Sequence, residues 1–382
     1  MGGLGWGLVT DGTSGQNRSA LAAVRALRMA GYRAAVTVSD PPSRAAASRF
    51  CDRVVPVPGV DDPSSYADAV RAATEAHEYV TVLPSSDSAM VALGSPGRHL
   101  LDKSVLASLA AEAGLETPPG RAFDDAEALR AATDDIDYPC VVKPVLRMGP
   151  RHLSACRFDT ARELRQSAQP PGRLLVQTHV ADQMHAVAGV MWRGELKAAV
   201  HQRHVRIWPL KCGDACYAVT TTPDPALEER LRILLSGYEG IFQAEFAGPY
   251  LLDLNPRVYA SLPLATSAGA NPVGVLCDLA RGSDVELVRA RPGVEYHWWE
   301  GDLRHLAARW RPGDLTLRAA ARELRLATAF GGVTRAAWDP KPSLVRWRHV
   351  GRQLATRLSG TAPPARPTGD VSPHPNSSPT GG

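Results

Sequence analysis

Between Leu4 and Val38 the chain alternates apolar strand, polar turn, helix and apolar strand. Leu4, Trp6, Leu8 and Val9 give a short buried strand over residues 4–10. Residues 11–16 are polar and carry Gly12 and Gly15, a turn. Leu21, Val24 and Leu27 then recur at helical spacing over residues 19–29, and Gly31 stands where a helix stops. Residues 34–38 form the next strand. Two strands joined through a helix cannot be a hairpin, so they pair in parallel. Strands at 53–57 and 79–83, with a helix at 66–77, extend this doubly wound α/β unit to about residue 95. Its first turn, Asp11-Gly12-Thr13-Ser14-Gly15, is not G-x-G-x-x-G, so no dinucleotide is inferred from it.

At 382 residues the chain holds two or three domains. It has no apolar run of about 18 residues that would span a membrane, and no basic-then-apolar leader is read at its start. Six cysteines without a disulfide framework suit a reducing cytoplasm. A net charge of +4, evenly spread, gives no footprint for nucleic acid. Of 43 basic residues only five are lysines: Lys103, Lys143, Lys197, Lys211 and Lys341. In such a chain a lysine flags a place where a compact ammonium is wanted. From residue 360 onward apolar side chains almost vanish, and disorder is expected.

Further along, a helix at 102–114 is capped by Asp102 and stopped by Gly114. A second helix, at 124–133, is capped by Asp124 or Asp125. A strand at 138–144 delivers Lys143 at its end, and a short strand follows at 174–177. Residues 186–192 and 195–200 flank Arg193-Gly194 as a hairpin. A helix spans 225–237, and residues 243–246 and 250–254 form a second hairpin. A helix starts after Asn271-Pro272. Residues 297–330 are mostly helical, with Arg304, Arg309 and Arg311 on a solvated face and Trp298, Trp299 and Trp310 as packing residues.

The second hairpin carries the chemistry. Asp253 and Asn255 are two apart on one strand and share a face, and Glu245 can oppose them. Two carboxylates and an amide oxygen are a hard donor set that suits Mg²⁺. Arg257 adds a planar fork for an anion. The two lysines, Lys103 and Lys143, suit a polyphosphate. At an effective dielectric of about 20, one ammonium about 4 Å from a unit charge gains about 4 kcal/mol before desolvation.

The order Asp102-Lys103, Gly114, Pro118, then Val141-Val142-Lys143-Pro144, then Leu174–Gln177, then Glu245 and Asp253-Leu254-Asn255-Pro256-Arg257, resembles the ATP-grasp superfamily over about residues 1–285. The closest flavour is that of the carboxylate–amine ligases and carbamoyl-phosphate-synthase-like proteins. The resemblance implies a pre-ATP-grasp α/β domain (1–95), then a two-lobed α+β ATP-grasp fold. The small lobe would be 96–170, the C-terminal lobe with the metal site 171–285, a helical extension 286–350 and a disordered tail 360–382. Residues 337–342 are similar to the C-terminal extension of one subgroup.

By position, the resemblance implies that Lys103 and Lys143 bind the phosphates of ATP. Val176, Gln177, Thr178, His179 and Val180 would read adenine through the backbone, with Asp182 or Gln183 at the ribose. Glu245, Asp253 and Asn255 would hold Mg²⁺, or Mn²⁺. Arg257 would stabilise an acyl phosphate, and Arg203, His204 and Arg206, on a segment after a strand, would meet the γ-phosphate or a carboxylate. The substrates implied are a small carboxylate and an amine, the assembly a homodimer. Bicarbonate as the acid and a catalytically weak ATP-binding protein are the alternatives.

Two departures stand out. Asp253 occupies a position where the family more often has Glu. The loop 145–153 has one glycine where several usually cover the phosphates, and carries Arg147, Arg151 and His152, so side-chain cations are expected to replace backbone donors. His201, His204, Cys212 and Cys216 have loosely zinc-like spacing. Lys211 faces either an acceptor carboxylate or solvent.

Overall fold

The computed structural model describes residues 4–13, 15–148, 155–310, 316, 318, 319 and 339–358. The tail 360–382, residues 149–154 of the expected phosphate loop and most of 311–330 lie outside the described residues. Over the described residues the molecule is mixed α/β, with one parallel sheet, one antiparallel sheet and one large, mainly antiparallel sheet.

Strands β1 (Trp6–Thr10), β2 (Arg33–Val38), β3 (Arg53–Pro56) and β4 (Thr81–Pro84) make the first sheet in the order β3-β2-β1-β4, every pair parallel. Helices α1 (Arg18–Met29), α2 (Pro63–Ala76) and α3 (Asp87–Ala92) are its crossovers and edge. The strand order reverses between β1 and β4. At such a switch point the loops leaving the carboxyl ends diverge and open a crevice. Asn17 ties the two loops. Its Oδ1 accepts from the Ser19 amide at 2.8 Å, capping α1, and its Nδ2 donates to the Ser85 carbonyl at 3.0 Å.

Helix α4 (Lys103–Glu112) follows, N-capped by Asp102, whose Oδ1 accepts from the Ser104 amide at 2.9 Å. A small sheet has the order β5 (Gly120–Phe123), β8 (Leu174–Thr178), β6 (Cys140–Pro144), β7 (Cys156–Phe158), with α5 (Ala126–Ala131) and α6 (Ala161–Gln166) packed on it. Its core is Phe123, Leu129, Val142, Leu164 and Leu174.

The large sheet runs β13 (Tyr250–Asn255), β12 (Gly240–Ala247), β9 (Met184–Trp192), β10 (Glu195–Trp208), β11 (Asp214–Thr220), β15 (Glu295–His297), with β14 (Val288–Arg289) alongside β10. Helices α7 (Pro225–Leu234), α8 (Leu262–Ser267), α9 (Pro272–Ala280) and α10 (Trp299–Trp310) flank it. The first and large sheets share one core, in which Leu21, Val24 and Leu27 of α1 pack with Val190, Val200, Val273 and Leu276. Alanine-rich α1 can be buried on two sides because its short side chains let neighbours approach. At Gly274 of α9 a Cβ would lie 2.8 Å from the Ala30 Cβ, so that crossing requires glycine. Each leucine fully buried here contributes about 1.5–3 kcal/mol.

Among the described residues no helix is long and apolar enough to cross a membrane. All six cysteines are free.

The helix Lys341–Leu358 is moored to the first sheet through Asp339. Arg25 Nε donates to its Oδ2 at 3.0 Å, Ser48 Oγ to Oδ2 at 2.7 Å and the Arg49 amide to Oδ1 at 3.0 Å. The Asp339 side chain is wholly buried. Removing one partner of a buried pair strands the other charge. Asp339→Ala should therefore lower stability by about 3–5 kcal/mol, read as a reduced urea midpoint; an unchanged midpoint would show that Arg25 finds its compensation elsewhere.

Candidate active site

The β12–β13 hairpin sets Glu245 opposite Asp253 and Gln243 opposite Asn255. Directly opposed residues share a face, as do residues two apart, so all four side chains project together. This is the arrangement expected from the spacing.

Asp253 is buried, and both of its oxygens are engaged. Lys103 Nζ lies 3.0 Å from Oδ1, the Leu254 amide donates to Oδ1 at 3.1 Å, and Arg147 pairs with Oδ2. Burial alone would raise its pKa, but Lys103, Arg147 and Lys143 outweigh burial and hold the carboxyl well below the usual range. Lys143, at the end of β6, donates from Nζ to the Leu252 carbonyl at 2.6 Å. Burial pulls its pKa down to about 8, with Asp253 opposing. Glu245 accepts no hydrogen bond among the described residues. Burial, then Asp253 and Asp214, push its pKa up to about 7 against the pull of Arg147 and Arg257.

Arg257 joins the hairpin to the first sheet. Its Nε pairs with Asp87 at the start of α3, its Nη2 donates to Asn255 Oδ1 at 2.9 Å and its Nη1 to the Val258 carbonyl at 3.0 Å. The Asp87 carboxyl stays below its ordinary pKa because Arg257, Arg147 and Lys103 overcome its burial.

These groups line, or back directly onto, a cleft of about 530 Å³ between the small and large sheets. Lys143, Glu245, Asp253 and Arg257 form its inner wall, and Asn255 lines an adjoining cavity of about 130 Å³ shared with Glu245 and Arg257. At the other end lie Gln177, Thr178, His179 and Val180, with Val141, Met184 and Leu252 making an apolar slot. The Thr178 and His179 amides already donate to the Pro119 and Pro139 carbonyls, at 2.9 and 3.0 Å. The Val180 amide donates to no carbonyl among the described residues.

Other expected residues lie elsewhere. Val176 is buried inside β8 and does not line the cleft. Asp182 and Gln183 are exposed outside it; Gln183 Nε2 donates to the His204 carbonyl at 2.7 Å. Arg203 and Arg206 need correction. Both lie within β10, which continues to Trp208 instead of ending near residue 200. Alternation turns Arg203 to solvent, and Arg206 forms a buried bidentate pair with Asp302, at 2.5 and 2.7 Å, so neither faces the cleft.

The zinc grouping is not assembled either. His201 Nε2 sits 3.1 Å from Glu228 Oε1, His204 is beside Gln202, and among the described residues no three His, Cys, Asp or Glu are placed to hold a metal ion. Lys211 pairs with Asp159 across the cleft mouth. Arg304 and Trp298, read as solvated and as packing residues, line the cleft, as do Arg18, Asp87 and Asp214. Three of these have partners remote in the chain, so no local pattern marks them: Asp87 meets Arg257 across 170 residues and Arg18 meets Asp214 across 196.

No protein-family model matches the chain. Over 150 residues it is 29% identical to the formate-dependent phosphoribosylglycinamide formyltransferase of Acinetobacter baumannii, covering 39% of this chain and 35% of that protein. The first curated relatives it matches are spanned over 17% to 35% of their own length. The L-amino acid ligase of Bacillus licheniformis superposes with a TM-score of 0.54 at 16% identity, covering 74% of this chain and 75% of that one. The biotin carboxylase domain of the Hydrogenobacter thermophilus 2-oxoglutarate carboxylase, solved with Mg-ADP, ADP and bicarbonate, superposes with a TM-score of 0.55 at 16% identity, covering 77% and 74%. With its sheets in this arrangement and these likenesses, the chain has the ATP-grasp fold that these solved structures share.

Proposed function

We propose that the chain is an ATP-dependent ligase that joins a carboxylate to an amine through an acyl phosphate and releases ADP and phosphate. The observation that carries this reading is the convergence of Lys143, Arg257, Glu245 and Asp253, with Lys103 bound to Asp253, on one cleft whose far end is an apolar slot with the free Val180 amide. Adenine fits the slot between Val141, Met184 and Leu252, and the Val180 amide would donate to a ring nitrogen. Lys103 and Lys143 would turn from Asp253 and the Leu252 carbonyl to the phosphates.

Glu245, Asp253 and Asn255 fit Mg²⁺ or Mn²⁺: two carboxylates and an amide on one face, with Glu245 unpartnered and its charge disfavoured until a cation arrives. When bound, the metal offsets the charge of the phosphate oxygens. The substrate carboxylate attacks the γ-phosphorus in line, and the bond to the β-bridging oxygen breaks. The amine then attacks the acyl carbon, the bond to phosphate breaks, and the nitrogen gives up a proton, which leaves with phosphate or to solvent. Arg257, held by Asp87 and Asn255, is oriented to stabilise the oxyanion charge in both steps. Positioning and charge supply the rate, so no covalent enzyme intermediate is required.

ADP and phosphate should appear only when a carboxylate and an amine are both present, measured by coupled ADP release over a panel of acids and amines. Steady ATP consumption with neither, or none with any pair, would overturn the reading; ADP release driven by bicarbonate alone would make bicarbonate the acid. Lys143→Ala and Asn255→Ala should each lose about 10²–10³-fold in turnover while keeping the wild-type circular dichroism spectrum.

Glu245→Gln tests the metal face without nucleotide. A carboxyl whose pKa is raised on folding, from about 4.5 to about 7, favours folding fully at low pH and loses that favour as pH rises through this window. The variant should match the wild type near pH 4.5 and melt about 1 °C higher at pH 8 by calorimetry for each ~1 kcal/mol relieved. Equal melting at pH 8 would mean that Glu245 is already compensated.

A further inference from the structure

Beyond the hairpin acids the same cleft ends in a wall of arginines. Arg18, at the start of α1, lays its guanidinium over the Trp298 ring, 3.6 Å from the centroid, and pairs with Asp214. Its Nη1 is buried with no hydrogen-bond partner among the described residues, and behind it the Nε of Arg44 is in the same position. Arg304 lines the cleft from α10 and shares the Glu300 carboxylate with Arg346, at 2.8 Å for its own contact. Four guanidinium groups thus face two carboxylates. Burial, then Arg18 and Arg346, bring the Arg44 pKa down to about 10, as expected where positive charge is in excess.

Asp214 stands between this wall and the reaction centre. It lines both the main cleft and the adjoining cavity with Glu245, Arg147 and Arg257, and its side chain is 67% exposed. A carboxylate there repels an acid and attracts an ammonium. An amine lying across Asp214, which now pairs with Arg18, would leave the region of Arg257 to the acid.

We propose that Arg18 and Arg304, beside Trp298 and backed by Arg44, form an oxyanion subsite for the amine substrate, which therefore carries its own carboxylate or phosphate. This deepens the ligase reading and rests on it. The forked guanidinium groups match either oxyanion in a bidentate manner. An amine without an anionic group would leave the excess positive charge of this wall unanswered. The anionic end held at the wall directs the nitrogen toward Asp214 and the acyl carbon.

The test is calorimetric titration of the full chain, saturated with Mg-ADP, using glycine, glycinamide, O-phosphoethanolamine and ethanolamine. The anionic member of at least one pair should bind about tenfold or more tighter than its neutral counterpart; which pair shows it distinguishes carboxylate from phosphate. Arg18→Gln and Arg304→Gln should each remove that preference, and Arg18→Lys should restore part of it. Equal affinity within both pairs, a preference that survives both glutamine variants, or no binding of any probe overturns the proposal. The Mg-ADP titration on the same samples reads the nucleotide site independently, so failure there would count against the ligase reading and not against the anion subsite.

Discussion

The carboxylate of Asp253 is the point on which three parts of the molecule meet. Lys103 reaches it from the start of α4, Arg147 from the loop after β6, and Lys143 lies beside it on the Leu252 carbonyl. A buried carboxylate with these cations removed would be costly, and the cations without it equally so. The lobes are thus held together by the same charges that a polyphosphate would recruit. A polyphosphate bound there would exchange partners within a nearly balanced cluster. Asp87 and Arg257 extend the arrangement to the first sheet, whose switch-point loops complete the cleft.

Much of this was legible in the sequence because it depends on local periodicity. The parallel opening unit, the Asp102 cap and the register of Glu245, Asp253 and Asn255 follow from spacings of a few residues. Arg206 was not legible, because its partner Asp302 is 96 residues away and a pattern of polar residues does not say what they face. Arg304 failed for the same reason: helical spacing marks a polar face, and here that face looks into a cleft rather than into solvent. The length of β10 was hidden by its own charges, since buried Gln202, His204 and Arg206 interrupt the apolar alternation that marks a strand.

The first sheet serves the site twice. Through α1 it shares a core with the large sheet, which fixes the orientation of both. Through the loops after β1 and β4 it supplies polar side chains and Arg18 to the cleft. A domain whose fold alone announces no ligand thus gains a share of a cleft by being docked, which is why its turn sequence, lacking a dinucleotide fingerprint, said little by itself.

The mooring of Arg25 by Asp339 spans 314 residues. During synthesis at about 5–20 residues per second, the first sheet would wait about 15–60 s before that carboxylate leaves the ribosome. For that interval Arg25 has no Asp339 to pair with and its guanidinium stays hydrated. The opening domain therefore reaches its final stability only as the far end of the chain arrives, and the order of synthesis runs against the order in which its charges are satisfied.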